Sequence, residues 1–451
     1  DIVPSRPGRF SMYVCGPTVY DLPHMGHGRT MLVYDVLRRY LEWTGVDVDH
    51  VSNITDIDDN IIERAQLLGR TPEDVAEQYE AEHWAGADGL GVLRPKHAPH
   101  ATEYVGDMIE LVGELEGRGF AYETDDGLYL SSESVPGYGL LAQQPLESLR
   151  AGARVEEREG KRSPVDFAVW KRAKEGEPAW PSPWGPGRPG WHTECVVMSL
   201  DLLGEGFDLH TGGLDLKFPH HENERAQAVA LGHEFARHWM HHAFIEVGGQ
   251  KMSKSLGNFT SLSDLLSRED GRAYRLLVLQ SHYRTPLEVT PDTIARATKS
   301  LEGLDLLAAR LPEAFSGAGA GPPQRPPADE TEDVIARFRS SMDDDLDTPA
   351  GVSLIFEGRR RANAAADDGR AEEAARWAAA AASMMSALGL AARPPDRDQL
   401  SSEIVDLVAR LDAARSERDF ATADAVRAEL GSAGWVVETG SEGTRVRRRE
   451  R

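Results

Sequence analysis

Three short patterns near the start of the chain limit the fold more than any other feature of the sequence. The run SMYVCG (residues 11–16) is apolar and is stopped by Gly-Pro, which is typical of a short strand. MLVYDVLRRYLEWTG (31–45) has the apolar spacing of a helix that ends at a glycine, and VDVDHVSNI (46–54) alternates with the period of a strand. Strand, helix and strand in that order predict an α/β fold with a parallel sheet and helices on its faces.

Two segments rich in proline divide the chain, whose 451 residues are too many for one hydrophobic core. SGAGAGPPQRPPADETED (316–333) has the composition of a flexible linker, and LAARPPDRDQ (390–399) is a shorter break of the same kind. We therefore expect a catalytic domain over residues 1–315, a helical domain over 334–392 and a small module over 400–451. In that module, two helical patterns precede GWVVET and TRVRRR, which predict a small hairpin.

Composition narrows the cellular setting and the class of partner. The formal net charge of −24 argues against a nonspecific nucleic-acid binder. The end of the chain, TRVRRRER, is nevertheless basic, and it is either a solvated tail or a contact for RNA. Two cysteines give no disulfide framework, so we expect a reduced, cytoplasmic protein. No apolar run approaches about 18 residues and no secretory signal is apparent, so we expect no membrane contact. Because the chain begins with Asp1 rather than Met, we expect some residues to precede it.

The first strand leads into DLPHMGHGRT, where His24 and His27 lie three positions apart at the expected start of a helix. Backbone N–H groups at a helix N-terminus favour anions, and Gly26 lets a ligand approach the backbone. The histidines therefore suit the phosphates of a nucleotide at the carboxyl ends of parallel strands. Their spacing alone is more often that of capping or solvated histidines.

A loop bracketed by glycines, GGQKMSKSLGN (248–258), carries Lys251 and Lys254. Mobile lysines in such a loop can close over a polyphosphate and stabilise the charge that develops on a leaving pyrophosphate. Two lysines three positions apart indicate little by themselves. KMSKS downstream of HMGH on a strand-to-helix turn is a much more specific combination.

The segment KFPHHENE raises the question of a metal site. Pro219 predicts the first turn of a helix, so that His220 and Glu224, four positions apart, project from the same side. With Cys15 and Cys195 they would form a donor set of two sulfurs, one nitrogen and one oxygen, which suits Zn²⁺. Taken separately, these pieces are more typical of a solvated acidic helix and two unrelated buried thiols.

HMGH followed by KMSKS resembles the motif pair of the class I aminoacyl-tRNA synthetases. MYVCGPTVYD, NITDIDDNII, RPGWHTEC, GGLDLKFPHHENERAQ and MDDDLDTP resemble the cysteinyl-tRNA synthetases in particular, and the likeness covers nearly the whole chain. The departures are small: Met25 stands where the family often has Ile, and a small residue common before Asp215 is absent. The resemblance implies a Rossmann-like catalytic domain, a helical DALR-type tRNA-binding domain and a C-terminal anticodon-binding module.

The resemblance also implies one zinc ion in the amino-acid pocket. Carried over residue by residue, its ligands are Cys15, Cys195, His220 and Glu224. His221 would then contact a zinc ligand rather than the zinc ion itself. Zinc binds a thiolate strongly and a hydroxyl weakly, so it selects cysteine over serine by chemistry rather than by size. By the same resemblance, Thr55 and Trp191 belong to the pocket for L-cysteine.

The reaction implied by the resemblance has two steps. L-Cysteine is activated by ATP, with Mg²⁺, to cysteinyl-adenylate and is then transferred to the 3′ end of tRNA(Cys). His24 and His27 would act on the ATP phosphates and the transition state, and Lys251 and Lys254 on the pyrophosphate. We assign Asp215 to the adenosine of ATP, although an aspartate after two glycines is also typical of a turn cap. We expect the enzyme to be a monomer.

Two other functions fit parts of these patterns. A ligase that passes activated cysteine to an amino sugar, as mycothiol cysteine ligases do, resembles the catalytic domain but does not need a module that reads tRNA. A catalytically inactive paralogue that only binds RNA does not need the motif histidines, lysines and zinc ligands, all of which are present. Pyrophosphate exchange separates the binder from the enzymes, and tRNA charging separates the two enzymes.

Overall fold

The fold is that of a computed structural model of the chain. The structure describes residues 2–143, 160–251, 260–316, 332–393, 402–417, 419–433, 435–440 and 443–448. Most of the linker expected at 316–333, and most of the one expected at 390–399, lie outside these residues. Asp1–Ala392 form one compact unit and Arg393–Arg451 another.

The elements are numbered here in chain order. The strands are β1 (Arg9–Val14), β2 (Asp47–Ser52), β3 (Ala121–Thr124), β4 (Gly127–Leu130), β5 (Phe167–Arg172), β6 (Gly187–Pro189), β7 (Leu209–Gly213), β8 (His238–His242), β9 (Ile245–Val247), β10 (Gln250–Lys251), β11 (Leu287–Glu288), β12 (Trp435–Gly440) and β13 (Gly443–Arg448). The longer helices are α1 (Met25–Thr44), α2 (Asp59–Leu68), α3 (Pro72–Gly89), α4 (Val105–Gly117), α5 (Trp191–Leu203), α6 (Glu222–Leu231), α7 (Leu262–Arg268), α8 (Gly271–Leu279), α9 (Pro291–Arg310), α10 (Glu332–Asp343), α11 (Thr348–Asp367), α12 (Ala371–Ala387), α13 (Ser402–Ser416) and α14 (Phe420–Ser432).

A parallel sheet with the strand order β2-β1-β7-β8 forms the centre of the first unit. Val14 at the end of β1 lies opposite Ser52 of β2 on one side and Thr211 of β7 on the other, so these strands end at one edge. Side chains from both faces of the sheet are buried: Met12 lies in one core and Tyr13 in another. The predicted parallel sheet with helices on its faces is confirmed.

Helix α1 connects β1 to β2 and covers one face of the sheet. It begins at Met25, before the apolar run that first indicated it, and stops at Gly45, whose φ of 98° lies in the left-handed region that favours glycine. Leu32 and Val36 of α1 pack against Met12 in the largest core. The helix therefore runs from the sequence HMGH at the carboxyl edge of the sheet back along the sheet.

A buried network of charges ties α1 to the helices that follow. Asp35 accepts hydrogen bonds from Arg39 (2.8 Å) and from Arg275 of α8 (2.6 Å). Arg275 also donates to the carbonyl of Leu388, just after α12 (3.2 Å). Burial raises the pKa of Asp35, but the positive charges of Arg275 and Arg39 lower it by more, so the pKa lies below its usual value. Helices α10 to α12 contribute to the same core as α1, in which Phe338 is fully buried.

An antiparallel sheet, β3-β4-β5-β6, is inserted between β2 and β7 in the chain, and the sequence patterns did not indicate it. Its core includes Leu128 and Trp170, which are fully buried. Lys171 of β5 and Arg188 of β6 both pair with Asp59 at the start of α2. These ion pairs fix the inserted sheet beside the segment that follows β2.

The second unit is a helical pair with a hairpin. Leu411 of α13 and Leu430 of α14 are fully buried, and Trp435 of β12 packs against their core. β12 and β13 are antiparallel, with Val437 opposite Val446, as the patterns GWVVET and TRVRRR predict. Across the part of the chain that the structure describes, none of the helices has both the length and the apolar character needed to cross a membrane.

Candidate active site and metal centre

A cavity of about 460 Å³ opens at the carboxyl ends of the central strands. Ligands bind at this edge in open parallel sheets. Its lining includes residues from the end of β1, the HMGH turn, the start of α5 and the segments that follow β7 and β8: Cys15, His24, His27, Trp191, Asp215 and Phe244.

His24 and His27 cap α1 and stack on each other. The His27 N–H donates to Nδ1 of His24 (3.3 Å), the His24 N–H donates to Nδ1 of His27 (3.1 Å), and the ring centroids are 3.9 Å apart. Because each Nδ1 accepts a backbone N–H, each neutral ring carries its proton on Nε2, from which it can donate to an anion. Capping and phosphate binding, which the spacing alone left as alternatives, are therefore compatible.

The segment that follows the KMSKS loop lies beside these histidines. β10 ends at Lys251, whose side chain, like residues 252–259 with Lys254, lies outside the description. Beyond the loop, the N–H of Leu262 donates to the carbonyl of Pro23, next to His24 (2.7 Å). The chain just after the lysine loop is thus held against the HMGH turn.

Four donor atoms from distant parts of the chain meet beside the cavity, whose lining includes Cys15. The sulfurs of Cys15 and Cys195 are 3.8 Å apart, Cys195 Sγ lies 3.7 Å from His220 Nε2, and Cys15 Sγ lies 3.6 Å from Glu224 Oε1. All four side chains are buried. Two Zn–S bonds of about 2.3 Å at the tetrahedral angle place the sulfurs about 3.8 Å apart, which is the separation observed. The donor set therefore fits a tetrahedral zinc ion.

The charges of this cluster are strongly coupled. Burial raises the pKa of the Cys15 thiol well above its usual range. Burial also raises the pKa of Cys195, but the hydrogen bond with Cys15 and the neighbouring His220 lower it to about 6. Burial disfavours the Glu224 carboxylate, but His210 and His220 hold its pKa well below the usual value. Cys195 and Glu224 thus favour the thiolate and carboxylate forms that bind a metal, whereas Cys15 favours the neutral thiol.

A kink precedes the helical turn that carries His220. The backbone at Phe218 is extended (φ −143°, ψ 132°), and the regular helix α6 begins only at Glu222. The backbone after Phe218 is helical and continues into α6, so Pro219 lies in the first turn, as predicted. His220 Nε2 lies 2.9 Å from Glu224 Oε1, so the two side chains meet as the four-residue spacing indicated.

Two aromatic neighbours orient the His220 ring. Trp191 stacks on it with centroids 3.9 Å apart, and the Nδ1 atoms of His220 and His192 are 2.8 Å apart. Burial lowers the pKa of His192 well below its usual value, so neutral His192 can accept the Nδ1 proton of His220. This contact leaves Nε2 of His220 directed at the sulfurs, as a metal ligand requires.

His210 is the residue that the sequence patterns missed. Its Nε2 lies 2.7 Å from Oε2 of Glu224 and 3.6 Å from the sulfur of Cys15. With His221 it forms a second group of four donors that shares Cys15 and Glu224 with the first. His221 also contacts His241, Nδ1 to Nε2, at 2.8 Å. A lone histidine inside a strand carries no spacing signal, so only the fold brings His210 to this cluster.

The remaining candidates lie in different settings. Trp191 and the exposed Asp215 line the cavity, Asp215 directly after the end of β7. Thr55 is 1% exposed and donates a hydrogen bond to Glu194 (2.7 Å). Thr18, which pairs with Thr55 through a parallel bridge, lines the cavity. Thr55 therefore lies directly behind the residues of the cavity wall.

Comparison with known proteins gives the family of this chain. Residues 1–299 match the family model described as the tRNA synthetases class I (C) catalytic domain, and residues 337–392 match the DALR domain. A cysteine–tRNA ligase of Alkalilimnicola ehrlichii is 46% identical over 99% of this chain and 96% of its own length. The chain belongs to the cysteinyl-tRNA synthetase family. A cysteine–tRNA ligase of Thermotoga maritima, 42% identical over 98% of this chain and 96% of its own, agrees with this assignment.

Solved structures support the fold of this cysteinyl-tRNA synthetase family member. The methionyl-tRNA synthetase of Mycobacterium tuberculosis, in complex with methionyl-adenylate, aligns with a TM-score of 0.60 at 16% identity over 92% of this chain and 96% of its own. The ternary complex LeuRS–tRNA–LeuAMS of Agrobacterium radiobacter K84 aligns with a TM-score of 0.63 at 12% identity over 87% of this chain and 85% of its own. At such low identity the likeness establishes the class I fold alone.

Proposed function

We propose that this chain is a cysteine–tRNA ligase, which activates L-cysteine with ATP and transfers it to tRNA(Cys). The observation that carries the proposal is the meeting of Cys15, Cys195, His220 and Glu224 beside the cavity that His24 and His27 line. A buried set of two sulfurs, one nitrogen and one oxygen next to a nucleotide site suits selection of a thiol substrate. The match over 99% of the chain to a relative named as a cysteine–tRNA ligase supports the same substrate.

The same four residues are the proposed zinc ligands. Zinc, when bound, supplies an affinity for the substrate thiolate that a serine hydroxyl cannot match. The protein's part is to hold the four donors together, with the two sulfurs 3.8 Å apart, and to keep His220 oriented through Trp191. Selection by chemistry explains how a pocket can separate two amino acids that differ by sulfur for oxygen, which packing discriminates poorly.

The first proposed step joins cysteine to AMP. A carboxylate oxygen of cysteine attacks the α-phosphorus of ATP, and the bond to pyrophosphate breaks. His24 and His27 donate from Nε2 to the phosphates, and Lys254, with Lys251, stabilises the charge on the leaving pyrophosphate. Mg²⁺ accompanies ATP in this proposal. No protein nucleophile is required, because positioning and charge stabilisation lower the barrier.

The substrate contacts complete the proposed site. Trp191, at the cavity wall, would face bound cysteine. Thr55 would belong to the same cysteine pocket, from a position just behind that wall. We assign Asp215, exposed at the end of β7, to the adenosine of ATP. These roles follow the family resemblance, and the location of Trp191 and Asp215 in the cavity lining supports them.

The second proposed step requires the parts of the chain beyond the catalytic region. The terminal ribose hydroxyl of tRNA attacks the carbonyl of cysteinyl-adenylate, and AMP leaves. We propose residues 1–315 as the catalytic domain, 316–333 as a linker, 334–392 as the helical tRNA-binding domain and 400–451 as the anticodon-binding module. The DALR match at 337–392 supports the helical domain, and the separate compact unit Arg393–Arg451 supports the C-terminal module.

Two assays test the function. Cysteine-dependent exchange between ATP and pyrophosphate is expected, and its absence would support an inactive RNA binder. Transfer of labelled cysteine to tRNA is expected with the same protein. Exchange without charging of any tRNA, combined with transfer to an amino sugar, would instead identify the sugar ligase.

A further inference from the structure

Asn53, directly after β2, makes hydrogen bonds whose direction is fixed by a backbone group. The N–H of Gly16 donates to Oδ1 of Asn53 (2.9 Å), so Nδ2 of the amide must face the other way. There Nδ2 donates to the hydroxyl of Thr55 (3.2 Å), which in turn donates to a carboxyl oxygen of Glu194 (2.7 Å). Asn53, Thr55 and Glu194 are each 1% exposed.

The two ends of this chain of hydrogen bonds are neighbours of the two cysteines. Gly16 follows Cys15 at the end of β1, and Glu194 precedes Cys195 in α5. A Cβ atom added to Gly16 would lie 1.6 Å from the carbonyl oxygen of Asn53, so the segments that follow β1 and β2 approach more closely here than any residue but glycine permits. The bridge from Gly16 to Glu194 therefore connects the segments that carry the two sulfurs.

We infer that Asn53 is a positioning residue of the metal centre, which holds Cys15 and Cys195 at the spacing of zinc ligands through its bonds to Gly16 and Thr55. The inference rests on the proposed zinc site. Sulfur atoms 3.8 Å apart on segments joined by directed, buried hydrogen bonds are ready to bind an ion without rearrangement. Removal of the amide leaves the Gly16 N–H and the Thr55 hydroxyl without this partner and loosens both segments. Residues that orient metal ligands typically change metal affinity by about 10- to 100-fold when they are replaced.

The test measures the zinc dissociation constant of the full chain by competition with a chelator. Asn53→Ala is expected to bind zinc about 10- to 100-fold more weakly than the wild type. Glu194→Met removes the acceptor of the Thr55 hydroxyl and is expected to weaken zinc binding to a similar extent. Glu194→Gln keeps an acceptor oxygen and is expected to bind zinc as the wild type does. Ser132→Ala is the matched control, because it removes a buried hydrogen bond to Asp166 in the segment between β4 and β5 (2.8 Å).

Wild-type zinc affinity in Asn53→Ala would overturn the inference. If Asn53→Ala does not fold, the two Glu194 variants provide the test. Equal zinc affinity of Glu194→Met and Glu194→Gln would then overturn the inference. A wild-type protein that binds no zinc would overturn the proposed metal site itself. The two failures are therefore distinguishable.

Discussion

The sulfur atoms of Cys15 and Cys195 lie 3.8 Å apart although 180 positions separate the two residues in the sequence. One stands at the end of the first strand and the other in the helix α5, beyond the inserted sheet. Neither forms a disulfide. Because both are the only cysteines of the chain, a shared metal ion gives a reason for their meeting that packing alone does not.

The first prediction concerns the lysine loop. Lys254→Ala is expected to lower the rate of adenylate formation by about a hundredfold, because the cation acts where charge develops on pyrophosphate. Cysteine binding is expected to change far less. Pre-steady-state measurement of adenylate formation across cysteine concentrations checks both quantities. Lys299→Ala, an exposed lysine of α9, is the control, and weakened cysteine binding at an unchanged rate would place Lys254 in the amino-acid pocket instead.

The second prediction concerns the C-terminal module. Removal of residues 400–451 is expected to leave pyrophosphate exchange nearly intact, because the proposed adenylate site is formed by residues before position 260. Transfer of cysteine to tRNA is expected to fall severely, and the tRNA affinity of the intact chain is expected to fall steeply with salt. Charging and exchange assays on both proteins measure this. Equal charging by the truncated protein would show that the tail does not read tRNA and would favour the amino-sugar ligase.

The third prediction concerns the buried network at Asp35. Asp35→Asn leaves Arg39 and Arg275 buried without their counter-charge, so the free energy of unfolding is expected to fall by about 3–5 kcal/mol. Denaturant unfolding measures the change. Asp88→Asn is the matched control, because Asp88 pairs with Arg94 at the surface (2.7 Å), where the loss is expected to be about 0–1 kcal/mol. Equal losses in the two variants would contradict the role of burial.

The fourth prediction concerns pH. Burial, with a further contribution from Arg38, lowers the pKa of His50 to about 3, whereas Asp35 raises it slightly. In the unfolded chain a histidine titrates near pH 6.5, so between these values the unfolded state binds the extra proton. The contribution of neutral His50 to the free energy of unfolding is therefore fully present above about pH 6.5, and it is lost as the pH falls from there toward the folded-state pKa of about 3.

His50→Leu is expected to flatten this dependence by up to about 1.4 kcal/mol per pH unit, because the replaced side chain no longer takes up a proton on unfolding. Unfolding free energies of both proteins, measured from pH 7 to pH 5, check the slope. Parallel curves for the variant and the wild type would contradict the assignment.

The sequence was sufficient to predict much of the fold and the candidate site. Strands β1 and β2 and the helix between them follow from local periodicity, and the motif residues His24 and Cys15 lie at the predicted edge of the sheet. The hairpin of β12 and β13 follows from two short β-patterns. These features are local in the sequence, and the burial of side chains on both faces of the central sheet favours the same structure.

Other features depend on contacts between distant segments and left no local pattern. His210 and Asn53 reach the metal centre only because β7 and β2 flank β1 in the sheet. The inserted sheet β3-β4-β5-β6 consists of strands as short as three residues, whose pattern is too brief to identify.

Zinc-dependent activation of cysteine is the central claim, and pyrophosphate exchange tests it most directly. The purified chain is expected to hold about one zinc, as the single proposed site requires. It is expected to catalyse exchange with cysteine but not with serine, to lose exchange when zinc is removed, and to regain it when zinc is restored. Cys195→Ser is expected to lose both zinc and exchange. Full cysteine-dependent exchange in a zinc-free protein would contradict the account.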